Sequence, residues 1–470
     1  MKQLPVFLLT LCLCFTLNTL WATHNRGGRI EYTHVTGYMY EVKIITYTKI
    51  SPPSNQADRN QLPINWGDGS AVEILSRTSS SLIAPDVQEN IYTGGHNFSQ
   101  PSTYILSMQD PNRNDQILNI NNGSSIGTPF YIEAQLIIPN AAASNNSAQL
   151  LLPPILATEI GQSFEQTITA YDPDGDILVY DLVTPNQAAG QPVTGYQPLT
   201  DIQPGPNNTL GLSLLNGRLT WDSPQMAGEY QITIRIREYR NCVLVGSTIV
   251  DQQIIVGSPV SNTQWIGNTG ISSYTIAPNT PLSLNLAFVD SNTTVDLAAY
   301  SETISFGSAT VTSFSNNPNK DSVSYQWTPP ATAVRCAPYI VTFRGESDFP
   351  TKLYKDISVA IYVRDSVISC DAVLDPSCFT SIPILQAAND FETQVYPNPF
   401  QQSCTFHIET EEAVHQVQLS IFDALGRQVC SLQFQGNTYE YTPPQLPAGW
   451  YMYQLELENG DRSVGKMIKQ

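Results

Sequence analysis

Tyr230-Gln-Ile-Thr-Ile-Arg-Ile-Arg237 alternates apolar and polar residues without a break. A period of two sends successive side chains to opposite faces, so this run reads as a β-strand with one face on a core. Tyr40-Glu-Val-Lys-Ile-Ile-Thr-Tyr-Thr48 and Ile357-Ser-Val-Ala-Ile-Tyr-Val363 show the same period. Clusters of Gly, Pro, Asn and Asp bound each run, and no long amphipathic helical pattern competes. Short strands separated by turn signals predict an all-β chain of tandem immunoglobulin-like sandwiches.

Composition agrees with an extracellular setting. The chain has 470 residues, of which 41% are hydrophobic and only 13% charged, against about 25% charged in ordinary soluble proteins. Its size predicts several domains. A net charge of −19 repels nucleic-acid phosphates and anionic membranes but attracts metal cations. Met1-Lys2, the apolar run from Leu4 to Leu20, and Ala22 describe a signal peptide over residues 1–22. No later apolar run approaches the ~18 residues of a membrane span, so the mature chain is expected to have none.

Of eight cysteines, Cys12 and Cys14 lie in the leader. Export permits disulfides. Cys370 with Cys378 and Cys404 with Cys430 are the local pairs expected. Cys242 and Cys336 would join two domains or stay as buried thiols. There is no C-x-x-C spacing of the kind zinc or thioredoxin chemistry uses.

Composition breaks at 140–147 (Asn-Ala-Ala-Ala-Ser-Asn-Asn-Ser), after Gly257, and near Ser369 divide the chain. The blocks are 23–140, 147–257 and 258–367, a linker over 368–388, and 389–470. The second and third look like a weak repeat. Leu219-Thr-Trp221 with Gly228-Glu-Tyr230 corresponds to Tyr325-Gln-Trp327 with Ala337-Pro-Tyr339. In each, the Trp and Tyr are spaced to pack across one sandwich core.

Ile64-Asn-Trp66-Gly67-Asp68-Gly69, then Tyr92-Thr-Gly-Gly-His96-Asn-Phe98 and Ser102-Thr-Tyr104, resembles the polycystic-kidney-disease (PKD) type of sandwich. The resemblance implies that Trp66 and Phe98 are core and that Asp68 belongs to a tight turn. Thr23-His-Asn-Arg26-Gly-Gly28, Thr46-Tyr-Thr48, Ala57-Asp58-Arg59 and Asp110-Pro-Asn-Arg-Asn114 are similar to the N-terminal region of gliding-motility-associated, adhesin-like surface proteins of the Bacteroidetes.

The second block carries Ala170-Tyr171-Asp172-Pro173-Asp174-Gly175-Asp176. With Asn216-Gly217-Arg218-Leu219-Thr220-Trp221 and Gly228-Glu229-Tyr230, it resembles the cadherin-like and immunoglobulin-like domains of bacterial surface proteins. Carboxylates at alternate positions can converge on one hard cation, and calcium takes about six to eight oxygens in loose geometry. Asp172, Asp174 and Asp176 are therefore the candidate metal ligands. This is no EF-hand, since the sixth residue from Asp172 is Ile177 and the twelfth Val183. Further donors are required, with Glu238 at the end of the alternating strand or a carboxylate of a neighbouring domain as candidates. Asp110 to Asp115 is a weaker version of the same turn. Asp290-Ser-Asn292 in the third block keeps one acid and is expected to hold no ion.

The last block reads Val395-Tyr396-Pro397-Asn398-Pro399-Phe400, then Phe422-Asp423-Ala-Leu425-Gly426, then Gly449-Trp450-Tyr451 and Gly465-Lys466. It resembles the type A C-terminal sorting domain of the Bacteroidetes type IX secretion system. That implies a small β-sandwich handled by the secretion machinery and a secreted or outer-surface destination. The sorting motif comprises Tyr396, Pro397, Asn398, Pro399, Gly426, Gly449, Tyr451 and Lys466.

The sequence shows no G-x-S-x-G elbow, H-E-x-x-H helix, P-loop or dinucleotide fingerprint. Its five histidines, His24, His34, His96, His407 and His415, offer no nucleophile–base set. The expectation is a non-enzymatic, adhesin-like surface or secreted protein with a protein or glycan ligand. The alternative is a carbohydrate-binding or spacer protein beside secreted polysaccharide-degrading enzymes.

Overall fold

The computed structural model describes residues 25–52, 58–139, 144–154, 156–203, 205, 208–258, 263–268, 272–348, 352–365, 370, 378–379, 392–409, 416–422, 428–443, 446, 449–457 and 462–469. The signal peptide and nearly all of the 368–388 linker lie outside these. Two compact units divide the chain, residues 1–375 and 376–470.

Among the described residues of the first unit the strands build three large apolar cores, with smaller clusters beside them. Trp66, Phe98, Tyr104 and Phe130 anchor the first, Phe164, Trp221 and Tyr230 the second, and Phe288, Tyr325, Trp327 and Phe343 the third. The Trp–Tyr pairs do pack: Trp221 meets Tyr230 at 5.0 Å and Trp327 meets Tyr339 at 4.8 Å between ring centres, both edge-on. The tyrosine hydroxyls turn back onto nearby carbonyls. Tyr104 donates to Gln100 O, Tyr230 to Met226 O and Tyr339 to Ala333 O, as the tyrosine corner of immunoglobulin-type sandwiches does.

The first two cores share one sheet. Its order is Ile177–Leu182, Gly228–Arg240, Val243–Gly257, Asn25–Thr36, Met39–Lys49, Val87–Asn97, Glu73–Ala84, Gln61–Ile64. Strand Val243–Gly257 of the second block pairs with both Asn25–Thr36 and Phe130–Ile138 of the first. The compositional break at 140–147 is thus bridged by backbone hydrogen bonds. Ser147 is buried, exchanging bonds with the Tyr32 backbone at 3.0 and 2.9 Å.

This sharing changes the environment of the alternating strand. In Gly228–Arg240 the polar alternates Gln231, Thr233 and Arg237 are buried too. Gln231 binds Arg113 and Asn119 from the first block and Asp251 from the neighbouring strand.

The third block is a sandwich of two four-stranded sheets, Thr263–Gly267/Leu282–Asp290/Lys320–Trp327/Ala309–Asn317 and Ser273–Ile276/Leu353–Val363/Tyr339–Ser347/Val295–Tyr300. Thr167 and Thr169 of the second block hydrogen-bond Ser358 and Thr342 of the third, each at 2.7 Å.

The second unit is a small sandwich of a three-stranded and a four-stranded sheet around Phe406, Ile421, Tyr453 and Leu455.

Cysteine pairing departs from expectation. Cys336 is bonded to Cys370, with Cα atoms 5.4 Å apart, so Cys370 does not pair with Cys378. Arg364, just past strand Leu353–Val363, donates to Cys336 O at 2.9 Å and holds that stretch of chain against Cys336. Cys242 and Cys378 are half-cystines as well. Cys404 and Cys430 remain thiols. They sit in opposite sheets of the tail sandwich, in Cys404–Glu409 and Gln428–Phe434.

Candidate metal centre

Asp172 follows the short strand Ala170–Tyr171, and Ile177–Leu182 begins directly after Asp176. The intervening turn closes on Asp172 itself: its Oδ1 accepts from the backbone N–H groups of Asp174 (2.8 Å) and Asp176 (3.1 Å). Gly175 takes φ +81°, where a side chain would strain the turn. The result brings ligand oxygens of Asp172, Asp174 and Asp176 within 4.8 Å of one another. Two calcium–oxygen bonds of about 2.4 Å span that distance.

Asp172 and Asp176 are buried, while Asp174 is exposed. Asp172 Oδ2 is buried with no hydrogen-bond partner. An unsatisfied buried carboxylate oxygen is costly, and it is the one feature of the turn that local geometry leaves unexplained.

Glu238, on strand Gly228–Arg240, stands near Asp172 but outside the 4.8 Å group of the three aspartates. It is fully buried, accepting from Ala148 N at 2.8 Å and Asn145 Nδ2 at 2.6 Å. Opposite it in the ladder stands Gly246. A Cβ there would lie 2.2 Å from the Tyr32 hydroxyl, 2.3 Å from Glu238 Oε2 and 2.8 Å from Asn145 Nδ2, so only glycine leaves room for this carboxylate. Burial, then the Asp176 charge, pushes the Asp172 carboxyl well above the ordinary range. Burial, then the Asp172 charge, does the same to Glu238. These carboxyls share one low-dielectric site.

The connecting segment completes it. Asn146 donates to Asp174 through its backbone (2.7 Å) and side chain (2.8 Å). Arg240 places Nε and Nη2 on Asp176 at 2.8 and 2.6 Å. The donor set is all oxygen, which fits calcium rather than zinc. Asp172, Asp174 and Asp176 are the residues that would hold it. Sequence reading singled out the three aspartates, which the structure brings together, and Glu238, which it leaves outside their group. It missed Asn145, Asn146, Tyr32, Gly246 and Arg240, because a small-polar linker carries no sign that its asparagines dock.

The other acidic turns have protein partners. Asp110 is buried against Arg59 at 2.5 Å. Asp290 accepts from Ser347 Oγ (2.8 Å) and Asn292 N (2.9 Å).

The N-terminal motif is used at the same joint. Arg26 reaches Glu229 and Asp86, and Asn114 donates to Glu229 at 2.5 Å. A Cβ on Gly27 would meet Asp251 O at 2.4 Å. Trp66 and Phe98 are core, as the PKD resemblance implies. His96 stacks on Trp66 and binds Asp68 at 2.7 Å. Ser70 donates to Asp68 rather than to His96, so this trio has no activated hydroxyl.

In the tail, Tyr396-Pro397-Asn398-Pro399 lies against the last strand, Arg462–Lys469. Asn398 Oδ1 accepts from Ile468 N and Phe400 N donates to Ile468 O, both at 2.8 Å. Tyr396 is half exposed and Tyr451 buried. Gly449 pairs with Lys469 and Met452 with Lys466 along adjoining strands. Gly426 and the turn around it lie outside the described residues.

These features define an exported protein built of serial β-sandwiches. Residues 394–470 match the family described as the secretion system C-terminal sorting domain. The tail hands the chain to type IX secretion, and the protein goes to the cell surface or outside the cell. Among the described residues no helix is long and apolar enough to cross a membrane. No curated protein matches the chain. Solved structures similar to it include dimeric latent PorU from Porphyromonas gingivalis (10% identity, TM-score 0.19, 86% of this chain and 43% of that one). Others are protocadherin gamma B2 cadherin domains 1–5 (10%, 0.17, 95% and 77%) and fibronectin(III)-like modules of Clostridium thermocellum CbhA (11%, 0.16, 47% and 97%). The β-sandwich architecture rests on the strand pairing itself.

Proposed function

We propose that the protein is a non-enzymatic, adhesin-like interaction protein whose first two sandwiches are locked together by one calcium ion. The observation that carries the calcium reading is Asp172 Oδ2, buried and unpartnered beside the Asp174 and Asp176 carboxylates where the connecting segment crosses. An ion there braces the acidic turn, whose Asp174 is already tied to the connecting segment by Asn146, stiffening the joint of a surface protein against shear and proteases. The ligand is a surface protein or a glycan met by exposed loops and edges.

Thermal unfolding and limited proteolysis of the full chain with calcium or EDTA test the ion. Calcium should raise the unfolding temperature and protect the 140–147 segment, and Asp172→Asn should abolish both effects. Equal behaviour in EDTA overturns the calcium reading. A deletion strain with unaltered adhesion and spreading overturns the adhesin role.

A second reading, carbohydrate binding, is favoured by one feature. An open cavity of about 180 Å³ is lined by Glu302, Phe306, Ser308, Trp327, Thr332 and Tyr339, with Phe306 65% exposed as a stacking surface for a sugar ring. A glycan array without hits removes it.

A further inference from the structure

We infer that Arg240 is the resident counter-ion of the acidic turn, and that a divalent cation binds by expelling its guanidinium. The inference rests on the proposed calcium site. Arg240 engages both Asp176 oxygens, at 2.8 and 2.6 Å, and its Nη2 lies 3.3 Å from Asp174 Oδ2. The same guanidinium donates to Ser144 O at 3.0 Å and Asn145 Oδ1 at 3.2 Å. It therefore occupies two of the three aspartates and ties them to the connecting segment, while Asp172 Oδ2 stays unreached.

A divalent ion using these aspartates would sit within a few ångströms of the guanidinium. Two cations at that separation repel strongly away from bulk water. The carboxylates are the fixed side of the pair. Asp172 is clamped by the Asp174 and Asp176 amides, and the Asp176 side chain is only 3% exposed. Arg240 is the movable side, 31% exposed. It sits next to the turn residues Asn241 and Cys242, at φ 50° and 64°, from which its long side chain can swing into water. The neighbouring cation does not compete, since Arg237 is engaged by Asp181 at 2.7 and 2.8 Å. Arg240 thus holds the joint closed without calcium and sets the calcium concentration at which the ion takes over. Occupancy would trade the arginine tie on Ser144 and Asn145 for the ion's own.

Calorimetric titration of the full chain with calcium chloride tests this, comparing wild type, Arg240→Gln, Arg240→Lys and Arg240→Gln/Asp172→Asn. Removing a competing occupant should tighten binding by about tenfold in Arg240→Gln. Lysine keeps the charge but loses the planar fork, so Arg240→Lys should fall between. The double variant should not bind. Equal affinity in wild type and both single variants, with binding lost in the double variant, overturns the counter-ion role and leaves the site standing. Absence of binding in wild type and Arg240→Gln up to about 10 mM calcium, above the range of extracellular calcium modules, overturns the site and the inference together. If Arg240→Gln does not fold, Arg240→Lys decides: an unchanged affinity overturns the proposal.

Discussion

Arg113 and Asp251 form a two-pronged ion pair, Nη1 to Oδ1 at 2.9 Å and Nη2 to Oδ2 at 2.8 Å, with neither side chain touching water. The arginine comes from the Asp110–Asp115 turn of the first block and the aspartate from strand Val243–Gly257 of the second. Phe130 lies under the guanidinium, 5.1 Å from ring centre to Cζ. Removing one partner leaves the other charge buried. Arg113→Ala should therefore cost about 3–5 kcal/mol, whereas Arg113→Met with Asp251→Leu should recover most of that. Urea midpoints of the full chain check both.

Gly246 is predicted to be irreplaceable. Its missing Cβ makes room for Tyr32, Glu238 and Asn145, all of them buried. Gly246→Ala should lose about 1–3 kcal/mol by overpacking and should also lose the calcium-induced rise in unfolding temperature. A melt with and without calcium reads both effects from one sample.

Acid should weaken the PKD-like turn. Burial alone would raise the Asp68 pKa, but hydrogen bonds from Ser70 and His96 overcome it and lower the carboxyl to about 2 from 3.8. A depressed folded pKa contributes stability that is present above the unfolded value and lost as pH falls through the folded one. Wild type should exceed Asp68→Asn by about 1–2 kcal/mol near neutrality. The two should converge between pH 3.8 and about 2. Unfolding temperatures across that range decide it.

The Cys336–Cys370 bridge closes a loop with a sequence separation of 34. Chain-entropy reasoning gives about 4 kcal/mol for a loop of this length. Cys336→Ser with Cys370→Ser should lower the third sandwich's stability by up to that amount, read as a shift in its urea transition.

The period of Tyr230–Arg237, the Trp221–Tyr230 and Trp327–Tyr339 spacings, the acidic turn and the sorting tail were all determined by the sequence alone. Each is local: a strand period, a turn residue or a short motif needs only its neighbours. Tertiary structure alone decided that Gln231, Thr233 and Arg237 are buried, since alternation states which residues share a face and not what covers it. It also decided that the first two blocks share a sheet, that Cys336 takes Cys370, and that Arg240 sits on Asp176. Cys336 and Cys370 are 34 residues apart, Asp176 and Arg240 64, and Arg113 and Gln231, which join the first two blocks, 118, and pairing over such distances is set by the whole packed chain, which no local pattern encodes.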